Sequence, residues 1–360
     1  MKTASNRISI DARITGTLLG TAVGDAIGLP LEGISRCRAK HLFSGALRHR
    51  FLLGHGMVSD DTEHTFLVAQ TLLDESDDVE RFSQKLAWRL RWWFARLPAG
   101  VGMATAKACL KLWCGISPKQ SGVFSAGNGP AMRVAIFGSV LDNDEKRHAF
   151  VTASTEMTHT DPKALTGAMA VADLASWITR RDSQSLPPCG EAIEILLDIE
   201  PQDDTWRNLV GQMQYGWENN ISVSEFVDQL GLCKGVSGYV YHTVPVAIYA
   251  WYRHFGDYRK TLESVIECGG DTDTVAAIAG ALAGTTVGES GIPRNWIDGI
   301  WDTPINASLL RKTAARLAEL VNHGISQGHV RYVWPLVIPR NLFFLLIVLG
   351  HGFRRLLPPY

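Results

Sequence analysis

The chain has 360 residues, 46% of them hydrophobic and 20% charged, which is enough apolar material for a large core and excludes an intrinsically disordered protein. Its 35 basic and 36 acidic residues leave a formal net charge of −1. No global field draws it to nucleic acid or to an anionic membrane, so a charged ligand has to be recognised locally.

From the amino end, residues 1–12 read as a tail without the apolar core of a secretory signal. Apolar residues then recur at helical spacing: Ile14, Leu18, Leu19 and Ala22, then Phe66, Leu67, Ala69, Leu72 and Leu73, then Phe82, Leu86, Leu90 and Trp93. Alternating β-branched runs bounded by hairpin signals are absent, so the expected class is all-α, a compact multi-helix bundle. Glycine-rich segments separate the periodic runs: Gly24-Asp25-Ala26-Ile27-Gly28, Gly54-His55-Gly56, Gly100-Val101-Gly102, 122–129 and Gly269-Gly270. They read as loops that allow positive φ and close approach of backbone to a ligand. Apolar content is even across Pro187-Pro188 and Pro201, so 13–324 reads as one domain.

Near residue 325 the composition shifts, and 325–360 reads as an apolar C-terminal appendage. Eight consecutive apolar residues, 342–349, follow Pro339-Arg340-Asn341, which are expected to stop a helix from extending backwards. A membrane span needs about 20 residues; a buried or docking helix is expected here, and membrane contact is not. The cysteines Cys37, Cys109, Cys114, Cys189, Cys233 and Cys268 form no CxxC pair or zinc pattern. They suit a reducing compartment, and the expected location is the cytoplasm.

Two acidic motifs carry the chemistry. The first, Ser59-Asp60-Asp61-Thr62-Glu63-His64, precedes an apolar helical run. Taken alone it is an ordinary helix start, with a capping side chain and carboxylates that favour the helix dipole. The second, Gly269-Gly270-Asp271-Thr272-Asp273-Thr274, opens a helix of small residues. One cap suffices for a helix, whereas these motifs offer several hard oxygen donors of the kind that bind Mg²⁺ or Mn²⁺. If the motifs converge, their carboxylates repel one another unless cations lie between them. Roughly 200 residues separate them, and the sequence alone does not bring them together.

Both motifs, in this order, resemble those of the ADP-ribosylglycohydrolases, which include the dinitrogenase reductase-activating glycohydrolases. The resemblance extends to 16–32 (an opening helix and a glutamate loop), to 125–133, to Thr158-His159-Thr160-Asp161-Pro162 and to 238–245. It implies a helical fold with a dinuclear site in a central cleft. Two Mg²⁺ or Mn²⁺ ions would be held by Ser59, Asp60, Asp61, Asp271, Asp273 and Thr274. Glu32, Asp60 and Asp61 are the implied catalytic groups. The stretch Ser125, Gly127, Asn128 and Gly129, with His159, is the implied substrate-binding loop beside a diphosphate. Arg133 is expected either to join it or to act as a structural ion-pair partner. Tyr239, Tyr241 and Trp251 are candidates for stacking on adenine, with a core role as the plainer alternative. The resemblance also implies the partners: an ADP-ribosylated protein, with arginine the favoured acceptor, or an ADP-ribose derivative. The alternative is an immunity protein that neutralises an ADP-ribosyltransferase toxin.

Overall fold

Four glycines at four-residue intervals, Gly16, Gly20, Gly24 and Gly28, decide the centre of the molecule. They form one face of the helix Ile10–Gly28, and that face lies against the helix Thr272–Val287 along its whole length. The pairing is antiparallel. A Cβ on Gly16 would stand 2.1 Å from the Gly284 carbonyl oxygen, one on Gly24 2.0 Å from that of Ala276, and one on Gly28 2.4 Å from that of Thr272. Such close approach to the facing backbone requires glycine on the first helix, met by Gly284, Gly280, Ala276 and Thr272 on the second. Gly24 to Gly28, expected as a loop, are therefore helical, and their glycines answer a packing requirement rather than a turn.

The computed structural model describes residues 8–42, 45–181 and 185–355. It is 68% helical, and the described residues form isolated bridges but no strand, as expected for an all-α bundle. Most of residues 1–12 lie outside the described part, while the first helix already starts at Ile10, with Ser9 capping the Ala12 N–H at 3.2 Å. Further helices surround the central pair, among them Asp60–Asp74, Pro162–Arg180, Val240–Arg253 and Ala307–His323. They bury one continuous core whose largest fully enclosed side chains include Trp206, Trp251 and Trp296.

The carboxyl end departs from expectation. A helix spans Val337–Arg355, running through Pro339, Arg340 and Asn341 instead of starting after them. Pro339 sits in the first helical turn, where the missing N–H has no helical partner to lose. Arg340, Asn341 and Phe344 are buried, while Leu342, Phe343, Leu345, Leu346, Leu349 and Phe353 point outward. Among the described residues, two segments are long and apolar enough to cross a membrane: Ile10–Leu31, which is 94% buried as the core helix, and Trp334–Phe353, with mean hydropathy 1.7 and 22% burial.

Candidate active site

The antiparallel central pair explains how distant motifs meet. Because residue 28 pairs with residue 272, the end of the first helix and the start of the second acidic motif share one edge of the bundle. Thr272 Oγ1 donates to the Gly28 carbonyl at 2.9 Å, and reciprocal backbone bonds join Gly33 N to Gly270 O (2.7 Å) and Gly270 N to Ile34 O (2.9 Å). Gly269 and Gly270 adopt φ of +69° and +87° in this junction. The short turn Leu29–Leu31 then presents Glu32, exposed, beside Asp273.

The first motif is tied to the same helix by Asp25. This carboxylate accepts the backbone N–H groups of Ser59 (2.8 Å) and Thr62 (3.2 Å) and the Thr62 hydroxyl, so it satisfies the amino-terminal donors of the helix Asp60–Asp74 from outside. Ser59 Oγ accepts the Asp61 N–H at 3.3 Å and donates to Asp61 Oδ2 at 3.1 Å. Thr274 Oγ1, from the second motif, donates to that same Asp61 Oδ2 at 3.4 Å. The two motifs are in direct contact.

Capping accounts for part of the first motif but not for the second. Asp271 occupies the N-cap position of its helix, yet its side chain accepts no capping bond. Its Oδ2 accepts from Asn128 Nδ2 at 2.6 Å instead. Asp61 Oδ1 and Asp273 Oδ1 are buried and have no hydrogen-bond partner. Such orphaned carboxylate oxygens are costly, and they mark the centre as built for something other than helix initiation.

The glycine loop closes the other side. Asn128 N–H bonds to the Gly238 carbonyl (3.0 Å), Val240 N–H to that of Ala126 (2.9 Å), and Gly127 N–H to Ser125 Oγ (3.3 Å). His159 lies beneath this loop: a Cβ on Gly127 or on Gly129 would come within 3.1 Å of its ring. Its Nδ1 is 2.9 Å from Thr158 Oγ1, and burial with the nearby Arg133 charge lowers its pKa to about 3, so the ring is neutral. Arg133 is itself buried and makes no ion pair among the described residues; it donates to Ser154 Oγ and O, to Thr158 Oγ1 and toward His64 Nδ1. It therefore braces His159 through Thr158 rather than pairing with an acid.

Glu32, Ser59, Asp60, Ser125, Gly127, Asn128, Gly129, His159, Asp271, Asp273 and Thr274 all line one cleft of about 580 Å³, and Asp61 lies just behind it. Tyr241 and Trp251 do not reach it. Both are core residues, bonded to Asp203 and Thr286, which removes them as stacking surfaces.

The sequence model of the ADP-ribosylglycohydrolase family matches residues 6–327. This chain belongs to that family. An uncharacterized protein of Archaeoglobus fulgidus is 31% identical over 86% of this chain and 97% of its own length. The ADP-ribosylhydrolase ARH3 of Gallus gallus is 27% identical over 79% and 88%, and the ADP-ribosyl-[dinitrogen reductase] glycohydrolase of Rhodospirillum rubrum is 24% identical over 86% and 97%. A solved chain from an ADP-ribosylglycohydrolase-related protein complex shares the fold, with TM-score 0.64, 24% identity, and coverage of 87% of this chain and 99% of that one. The family's activity is hydrolytic release of ADP-ribose from modified acceptors.

In this ADP-ribosylglycohydrolase, burial raises the carboxyls of Asp60, Asp61 and Asp273 well above the usual range, and mutual repulsion with Asp25, Glu32 and Asp271 adds to the effect. Asp25, compensated by its hydrogen bonds, is raised to about 6. As the side chains stand, no three Asp, Glu, His or Cys groups among the described residues converge as a ready-made ligand set. Three contributors carried no sequence signal as site residues. Asp25 was hidden among glycines, and Phe344 and Val348 reach the cleft from the carboxyl-terminal helix.

Proposed function

We propose that this chain removes ADP-ribose from a modified acceptor with the help of two divalent cations, Mg²⁺ or Mn²⁺. Supporting this reading is one observation: Thr274 of the second motif touches Asp61 of the first, beside the partnerless buried oxygens of Asp61 and Asp273. Ser59, Asp60, Asp61, Asp271, Asp273 and Thr274 are hard oxygen donors of the class such ions require, and would hold them. When bound, the cations supply Lewis-acid chemistry, offsetting the carboxylate charge and acidifying water.

The residues divide the remaining work. The 125–129 loop, whose Gly127 and Asn128 N–H groups are held within the protein, lies against the diphosphate through its remaining backbone donors, and neutral His159 keeps that loop in shape from below. Asn128 fixes Asp271, so the second motif and the phosphate loop move as one. Glu32, exposed at the cleft, takes the proton of the attacking water, and Asp60 orients that water. The water oxygen joins C1″ of the ribose as the bond from C1″ to the acceptor breaks, and the acceptor leaves with a proton.

Arginine on a protein is the acceptor favoured by the sequence resemblance. The cleft segment Ala99 to Met103 brings no acid to meet a guanidinium. That observation favours a second reading, an uncharged acceptor such as a serine hydroxyl. The cytoplasm is the proposed location, consistent with six unpaired cysteines.

The test is release of ADP-ribose from arginine-, serine- and O-acetyl-linked substrates with Mg²⁺, Mn²⁺ or EDTA. Cation-dependent release supports the hydrolase and names its acceptor. Retained ADP-ribose binding without release from any linkage would favour a role in neutralising an ADP-ribosyltransferase toxin.

A further inference from the structure

The helix Val337–Arg355 lies beyond the span matched by the family, yet it enters the cleft. Its inward face repeats at helical spacing: Arg340 and Asn341, Phe344, Val348, His351. Arg340 is buried and reaches Glu63 (3.0 Å) and Asp302 (2.5 Å), and it also donates to the Val58 carbonyl. Glu63 stands in the same first turn as Asp60 and Asp61, so the helix is pinned to the start of the first acidic motif. Asn341 donates to the Arg96 carbonyl (2.8 Å), and His351 Nε2 lies 2.7 Å from that of Phe51. Phe344 packs at 5.2 Å from the Phe51 ring, in a small apolar cluster with Leu29 and Met57 that is separate from the main core.

The cleft thus has two unlike ends. Next to the second motif lies the polar glycine loop, tied in through Asn128 and Asp271. Next to the first, which follows Met57 of that cluster, lies an apolar wall of Leu29, Ala99, Phe344 and Val348. We propose that Phe344 and Val348 form the acceptor-side wall and determine which acceptors the enzyme takes. This rests on the reading above that ADP-ribose occupies the glycine-loop end. The acceptor then leaves along the apolar wall, where a neutral aliphatic or small polar group fits and an unpaired charge does not.

The experiment uses the full chain with Phe344→Ala, Phe344→Leu and Val348→Ala. It compares kcat/KM across arginine-, serine- and O-acetyl-linked substrates, and inhibition by free ADP-ribose, which has no acceptor. Phe344→Ala and Val348→Ala are expected to change the ratio of kcat/KM between acceptors by about tenfold or more, while inhibition by ADP-ribose holds within about twofold. Phe344→Leu, which keeps the wall filled, should restore the wild-type ratio even if Phe344→Ala folds poorly. An unchanged ratio in Phe344→Ala and Val348→Ala alike, or in Val348→Ala alone where Phe344→Ala does not fold, or an equal loss for all substrates and for ADP-ribose, overturns the proposal. If the wild-type chain releases nothing from any linkage, the hydrolase reading has failed. The same variants are then judged by the affinity of ADP-ribosyl peptides relative to free ADP-ribose, with the same criterion.

Discussion

Gly20 and Gly280 leave no room for a methyl group on either helix: a Cβ on Gly20 would lie 2.2 Å from the Gly280 carbonyl oxygen, and one on Gly280 2.4 Å from that of Gly20. Neither obstacle is a side chain that can swing aside. The register of the whole site depends on this contact, because the antiparallel pair brings Glu32, just past the end of one helix, and Asp271 to Thr274, at the start of the other, to the same end.

Gly20→Ala is therefore expected to destabilise the fold by about 3 kcal/mol, the upper end for overpacking. Gly211→Ala is the control. Gly211 lies exposed within the helix Asp204–Glu218 with open space around its Cα, so alanine there should stabilise by about 1 kcal/mol. Chemical denaturation of both variants checks the pair, and equal effects would refute the packing argument.

Asp273→Asn is expected to lower turnover by more than about 100-fold, given that even changes outside a ligand shell can cost 10–100-fold. The same change should raise the melting temperature of the cation-free protein. It removes one of several buried, mutually repelling carboxyls while keeping the shape. An inactive variant that melts below the wild type would contradict this account of the acidic centre.

The pH dependence follows from the direction of the shifts. Asp60, Asp61 and Asp273 are raised in the fold, so the folded cation-free chain holds protons that the unfolded chain has already released. Its stability accordingly falls as pH climbs from the ordinary carboxyl range through the raised values. Cations compete with those protons. The gain in melting temperature on adding Mn²⁺ should grow from about pH 5.5 to about pH 8, and a gain that shrinks over this range would refute the assignment.

Breaking the carboxyl-terminal anchor should be costly. Arg340→Met leaves Glu63 and Asp302 buried without their cation, and about 3–5 kcal/mol of stability should be lost. Adding Glu63→Gln and Asp302→Asn should recover a large part of it. Denaturation midpoints of the single and triple variants test this, and a triple variant no better than the single would show that charge is not the cause.

The legible parts of this protein were those with a local signature. Periodic apolar residues marked the helices, and two acid-rich helix starts and a glycine loop announced themselves by composition. Asp25 was not legible, because a carboxylate that caps a helix 34 residues further on leaves no trace in its neighbours. Glycines 24 and 28 were misassigned because density suggests turns, whereas their four-residue spacing matched a facing helix that only the tertiary fold supplies. Pro339 was read as a helix breaker although a first-turn proline breaks nothing. Phe344 and Val348 resembled any other apolar residue until the helix that carries them was seen against the cleft.

The central glycine seam also sets a timetable for synthesis. Gly20 leaves the ribosome about 260 residues before its mate Gly280, an interval of roughly 13–50 s at ordinary elongation rates. Throughout it, the first helix has a bare backbone face and Asp25 and Glu32 have no second motif beside them. A nascent chain cannot assemble the acidic centre early. The enzyme's site is among the last things to form, and a ribosome stalled before residue 272 holds a bundle whose axis is missing its other half.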